Sequence, residues 1–172
     1  MAMERYTSMP VYKLSHRGAA ANLVGAIGEI VFEEALKKSE IPFEPLYTTK
    51  HDLLLFGEKT LEIKTKDRTV PPKADFEVSL NAYNHEHQVA DYYAFISLQR
   101  ERGDEEDMQR FHTAWILGMA NQKIVTENKK LWKAGETDPS NNMTFWTDTW
   151  NLFVHQLVPF KTAVQKLKAQ NA

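Results

Sequence analysis

His51-Asp52-Leu53-Leu54-Leu55-Phe56-Gly57-Glu58-Lys59-Thr60-Leu61-Glu62-Ile63-Lys64 is the stretch on which the reading of the chain turns. Two apolar runs flank Gly57-Glu58-Lys59, a turn with glycine at a permissive position. The runs read as strands over 51–56 and 61–66. They nevertheless carry Asp52, Glu62 and Lys64, and removing a charge from water is costly unless it is paired or bound to a metal. Alternation along a strand gives Asp52, Leu54 and Phe56 one face of the first run, and Glu62, Lys64 and Lys66 one face of the second. A three-residue loop sets Asp52 opposite Lys64 and turns all three polar groups to one side. A two-residue loop would separate Asp52 from Glu62. The three-residue loop also aligns Leu53 and Leu55 with Leu61 and Ile63, an independent apolar agreement that supports the register.

Upstream, residues 17–38 read as a long helix, with Val24, Ile27, Val31 and Ala35 recurring at helical spacing toward the core. Glu33, Glu34, Lys37 and Lys38 supply its polar face, and Pro42 ends it. A first strand is expected over 43–47. Pro71-Pro72 marks an irregular loop at 69–74. Residues 80–90 read as a second, shorter helix, and Asp91 to Leu98 as a strand by its aromatic and branched content. The charged run 99–109 is an exposed hairpin tip before a returning strand at 111–119. Beyond it come a short helix or turn within 120–133, turn-rich sequence at 135–142, short strands within 143–154 and an amphipathic helix from Pro159 to about Ala169. The pattern is α/β, with an antiparallel meander among its strands.

The chain has 172 residues, 42% hydrophobic and 26% charged, consistent with one domain over 1–172 that buries a core without staples. It has no cysteine, which excludes disulfides, zinc thiolates and cysteine nucleophiles and fits a reducing compartment. No apolar run approaches the roughly 18 residues of a membrane span. The first residues lack a signal-peptide pattern, so a cytoplasmic location is expected. The net charge of −2 does not announce a nucleic-acid binder. Local patches still carry positive charge: Lys59, Lys64, Lys66, Arg68 and Lys73 in one segment, Lys123, Lys129, Lys130 and Lys133 in another.

Two carboxylates converging on one face suit a hard cation with oxygen ligands, and magnesium commonly takes one or two carboxylates and keeps several waters. Such an ion polarises a phosphate and activates a water, beside which Lys64 can orient or deprotonate the water and stabilise the pentacovalent phosphate. Gly25 and Gly28 in the first helix each cost about 1 kcal/mol relative to alanine. They imply close approach of helix to sheet, which would bring Glu29 to the strand carboxylates; otherwise Glu29 is a surface carboxylate and the glycines only permit packing.

These residues resemble the PD-(D/E)XK nuclease superfamily. Asp52 matches its first acid, Glu62 and Lys64 its acid-x-lysine, and Glu29 the acid often supplied by the first helix. Gln88-Val-Ala-Asp-Tyr92 matches the Gln-x-x-x-Tyr spacing of exonuclease-like members, of which only Gln88 is carried over. His51 stands where the motif has proline. The resemblance covers residues 17–98 and implies a restriction endonuclease-like core of helix, three-strand meander, helix and strand, with strands and helices added over 99–172. It further implies a magnesium-dependent DNA endonuclease of phage or mobile-element type, with manganese as a substitute ion. Asp52, Glu62 and Glu29 would be metal ligands, with Lys64 and Gln88 in the catalytic set. DNA is the implied partner, a homodimer is possible, and a phage-encoded enzyme would work in the host cytoplasm. The rival reading is a non-catalytic nucleic-acid-binding or assembly module of the same fold.

Other constellations read as ordinary. His85 and His87 stand two apart on an expected helix and diverge. No glycine-rich phosphate loop or nucleophile elbow occurs. Trp132, Trp146 and Trp150 can stack unpaired bases but read first as core or interface residues.

Overall fold

A chain with one long amphipathic helix and several half-apolar strands must bury the helix stripe against a sheet face. The computed structural model describes residues 19–46, 50–83, 89–103 and 107–171. Helix α1, Ala19–Lys38, lies on a five-stranded sheet built from β1 (Phe43–Pro45), β2 (Leu53–Leu55), β3 (Lys59–Arg68), β5 (Tyr92–Arg100) and β6 (Phe111–Asn121). The spatial order is β1-β2-β3-β5-β6. β1, β2 and β3 form an antiparallel meander, β3 and β5 are parallel, and β5 and β6 form an antiparallel hairpin. The fold is therefore α/β with a mixed sheet.

The helix buries more than its expected stripe. Leu23, Phe32 and Leu36 are fully buried beside Val24, whereas Ile27 and Val31 are only partly covered. Glu33, assigned above to the polar face, is 5% exposed. The helix ends in a Schellman motif rather than through Pro42 alone. Glu40 takes a left-handed φ of 54°, its N–H donates to Lys37 O, and the Ile41 N–H donates to Leu36 O. The contact between Ile41 and Leu36 that usually accompanies this motif falls within the core.

Expected strands shift at their ends. β2 contracts to Leu53–Leu55, and β3 lengthens to ten residues. Ahead of the helix expected over 80–90, Glu77–Asn81 is a strand, β4, whose Val78 and Leu80 are buried; Ala82 and Tyr83 are helical, and residues 84–88 of that expectation lie outside the described residues. The alternation of β4 is too short to stand out in sequence, and β10 supplies the partner that stabilises it. β4, β10 (Thr149–Phe153) and β7 (Lys130–Trp132) form a second sheet, and β8 (Thr137–Asp138) pairs with β9 (Met143–Thr144). Helix α2, Gln122–Asn128, and helix α3, Phe160–Gln170, fall where short and amphipathic helices were expected.

Two apolar clusters cover the two faces of the main sheet. On one face, α1 and α3 pack over Leu53, Leu55, Leu61, Ile63, Ala94, Ile96 and Leu98. On the other, Val78, Leu80 and Leu152 of the second sheet pack over Tyr93 and Phe95. No helix among the described residues is long and apolar enough to cross a membrane.

Only one of the two α1 glycines is needed for close approach. A Cβ on Gly28 would lie 1.8 Å from Thr65 Oγ1 and 2.8 Å from Thr65 Cβ, whereas a Cβ on Gly25 meets nothing within 4 Å. Gly28→Ala should destabilise the protein by about 1–3 kcal/mol through overpacking, while Gly25→Ala should stabilise it by roughly 0.5–1 kcal/mol through helix propensity. Chemical denaturation of the two variants checks both signs.

Candidate functional site

The turn between β2 and β3 fixes which side chains can meet. Leu55 pairs with Lys59, so Phe56, Gly57 and Glu58 form the loop. Phe56 and Gly57 both have positive φ, at 51° and 72°, and the Glu58 N–H closes the turn on Leu55 O at 3.1 Å. The loop has the expected three residues but starts one residue earlier than the sequence suggested. The register therefore moves by two, which keeps every side chain on its face and changes its partner. Leu53 pairs with Leu61, so Asp52 stands level with Glu62 rather than opposite Lys64. Leu53, Leu55, Leu61 and Ile63 are all buried on the helix side, leaving Asp52, Glu62 and Lys64 to the other face.

β2 begins at Leu53, so the Ile63 N–H projects past its end. Asp52 Oδ2 accepts that N–H at 2.6 Å, while the Asp52 N–H donates to Leu61 O at 3.1 Å. Lys64 Nζ donates to Glu62 Oε1 at 2.5 Å, with the two side chains 28% and 14% exposed. Glu29 reaches this group from α1, because its negative charge is felt at Asp52. The structure thus brings together Asp52, Glu62 and Lys64 of the five residues singled out in sequence, with the charge of Glu29 acting on Asp52 from α1. The fifth, Gln88, and the His85-Glu86-His87 run lie outside the described residues.

The electrostatics follow from crowding. Burial first, then repulsion from Glu62 and Glu29, pushes Asp52 up to about 7 against the opposing pull of Lys64 and the Ile63 N–H. Burial acts to lower Lys64, but Glu62 and Asp52 outweigh it and hold its ammonium above the usual lysine range. Carboxylates that resist ionising together are a suitable donor set for a hard cation, which relieves their repulsion. Among the described residues no three ligating side chains are drawn into a closed cage. Magnesium needs only one or two carboxylates with waters, and Asp52 and Glu62 fit that open arrangement.

Tyr93 is a neighbour of the site that the sequence reading passed over. It pairs with Glu62 across the parallel β3–β5 ladder and is 2% exposed. Its hydroxyl accepts from the Ala90 N–H at 3.2 Å and from Gln122 Nε2 at 3.0 Å. Burial raises its pKa. The signal was available in the alternation of β5, because Tyr92 pairs with Leu61 and so belongs to the opposite face. Of the tryptophans, Trp132 stacks on Phe145 at 4.9 Å, Lys129 Nζ lies 4.2 Å from the Trp150 ring centroid, and Trp146 is 72% exposed.

Compared with protein-family models and with curated proteins, the chain gives no match.

Asp52 also makes stability depend on pH. Unfolded, it ionises near 3.8; folded, near 7. Between these values the folded state keeps a proton that the unfolded chain has released, so this group's contribution to stability falls as pH rises and levels off above about 7. Asp52→Asn should flatten that slope, leaving stability at pH 4 nearly unchanged and raising it at pH 8, without divalent cations, by on the order of 2 kcal/mol. Thermal melts across this range in chelator check the effect.

Proposed function

We propose that the chain is a magnesium-dependent nuclease that hydrolyses phosphodiester bonds in DNA, acting as an endonuclease of the phage or mobile-element kind. One observation carries the reading: Asp52 and Glu62 stand level on paired strands and on one face, with Lys64 on Glu62 and the charge of Glu29 at Asp52. A helix, an antiparallel meander and a following strand parallel to β3 support the restriction endonuclease-like core that the motif implies.

Asp52 and Glu62 would hold the cation, with Glu29 as a further ligand from α1. Bound there, the ion supplies charge neutralisation at the phosphate and a more acidic water. Asp52 Oδ2 accepts the Ile63 N–H, which fixes the carboxylate. The Lys64 ammonium is held by the same carboxylates, and sharing them with a cation weakens that hold and lowers its pKa. The ammonium then orients the attacking water and offsets charge on the pentacovalent phosphate, and only after giving up its own proton would the amine take one from that water. Tyr93 walls one side of the site. Two protomers would let two sites cut two strands.

Linear, circular and branched DNA incubated with and without magnesium tests the reading. Wild-type protein should nick circles only with magnesium or manganese, and Lys64→Ala should lose at least about 100-fold in rate. Asp52→Asn and Glu62→Gln should each abolish the heat of magnesium binding in calorimetry. Magnesium-independent cutting, or undiminished cutting by the Lys64 variant, would remove these residues from the mechanism. DNA binding without cleavage or metal uptake would favour a non-catalytic module.

A further inference from the structure

Lys64, Lys66 and Arg68 occupy alternate positions of β3 and share the face that carries Glu62. They differ in what holds them. Lys64 is taken by Glu62. Arg68 donates to Glu77 O at 2.7 Å, reaches Ser97 Oγ at 3.5 Å and lies over the Phe76 ring. Lys66, half-buried between them, makes no hydrogen bond or ion pair with any described residue.

The nearby carboxylates are committed elsewhere. Glu77 Oε2 accepts from Asn151 Nδ2 at 2.5 Å. Asp138 accepts from the Ser140 N–H at 2.8 Å and from Asn141 Nδ2 at 2.9 Å. Asp67, an odd position of β3, faces the other side of the sheet and binds Arg100. Burial, and then Arg68, hold the Lys66 ammonium below the usual lysine range despite these acids. A half-buried ammonium flanked by two cations on its own strand face is costly in the free protein. An anion seated there removes the cost. Residues two apart on a strand are separated by about 6.6 Å, a distance on the scale of the step between successive phosphates of a nucleic-acid backbone.

Resting on the nuclease reading, we propose that Lys66 binds the phosphate next to the scissile one and so sets the register of the DNA backbone over Glu62 and Lys64. Lys66 is a binding and positioning residue in this scheme and takes no part in proton transfer.

The test uses the full chain and a fluorescein-labelled DNA duplex, by anisotropy in chelator over a series of salt concentrations and by steady-state cleavage in magnesium. Lys66→Gln should weaken affinity about tenfold and reduce the slope of log affinity against log salt by about 1. It should raise KM while leaving kcat within about threefold. Lys66→Arg should restore affinity and slope, and Lys66→Met, which keeps the aliphatic stem, should behave like Lys66→Gln. A duplex with one neutral methylphosphonate beside the cleaved bond should weaken wild-type binding and add no loss to Lys66→Gln. Unchanged affinity and slope in Lys66→Gln, a loss that arginine does not rescue, or additive losses with the methylphosphonate would each overturn the assignment. Wild-type protein that neither binds nor cuts DNA would overturn the nuclease reading itself, and this inference with it. Normal wild-type cleavage with an unaffected Lys66→Gln would overturn only the role of Lys66.

Discussion

Because side chains on paired strands alternate between faces, the parity of one turn governs the chemistry available to this protein. Three residues between Leu55 and Lys59 put Asp52 and Glu62 on one side of the sheet and the leucines that flank them on the other. One residue more or fewer would turn Asp52 to the helix side, beneath α1. The same parity makes the hairpin self-consistent. The apolar face that α1 needs and the polar face that the site needs are two sides of one register.

Burial on the helix side holds that register against the repulsion on the site side. Phe32, Leu36, Leu53, Leu55 and Leu61 are fully buried, and Gly28 lets α1 sit directly on Thr65. That close approach brings Glu29 within electrostatic reach of Asp52. Packing thereby imposes a concentration of carboxylates that the chain would avoid in water. Beyond the effect of burial, their mutual repulsion raises the pKa of Asp52.

The second sheet gives the site its surroundings. β4 and β10 cover Tyr93 and Phe95 on the face that also carries Glu62 and Lys64. Glu77 and Asp138 come near Lys66 but are satisfied by amides of their own layer. The main sheet therefore passes within a few residues from apolar contact at Phe95 to a lysine, Lys66, without a hydrogen-bonded partner among the described residues.

The sequence by itself determined the long first helix, the meander, the aromatic fourth strand of the main sheet and its returning hairpin, because each has a strong period or a clear turn. It also determined that Asp52, Glu62 and Lys64 share a face, since parity survives an error of two residues in register. Only the tertiary structure decided that Asp52 meets Glu62 rather than Lys64, because a turn can start at Phe56 or Gly57 with the same loop length. β4 was likewise hidden, since a five-residue strand depends on a partner more than sixty residues away. Glu33 and Tyr93 were misplaced or overlooked for a related reason: local periodicity says which residues align, but the elements packed on them decide which are covered. Whether a lysine on a polar strand is paired or left for an anion depends on long-range contacts, and Lys66 could be separated from Lys64 only in three dimensions.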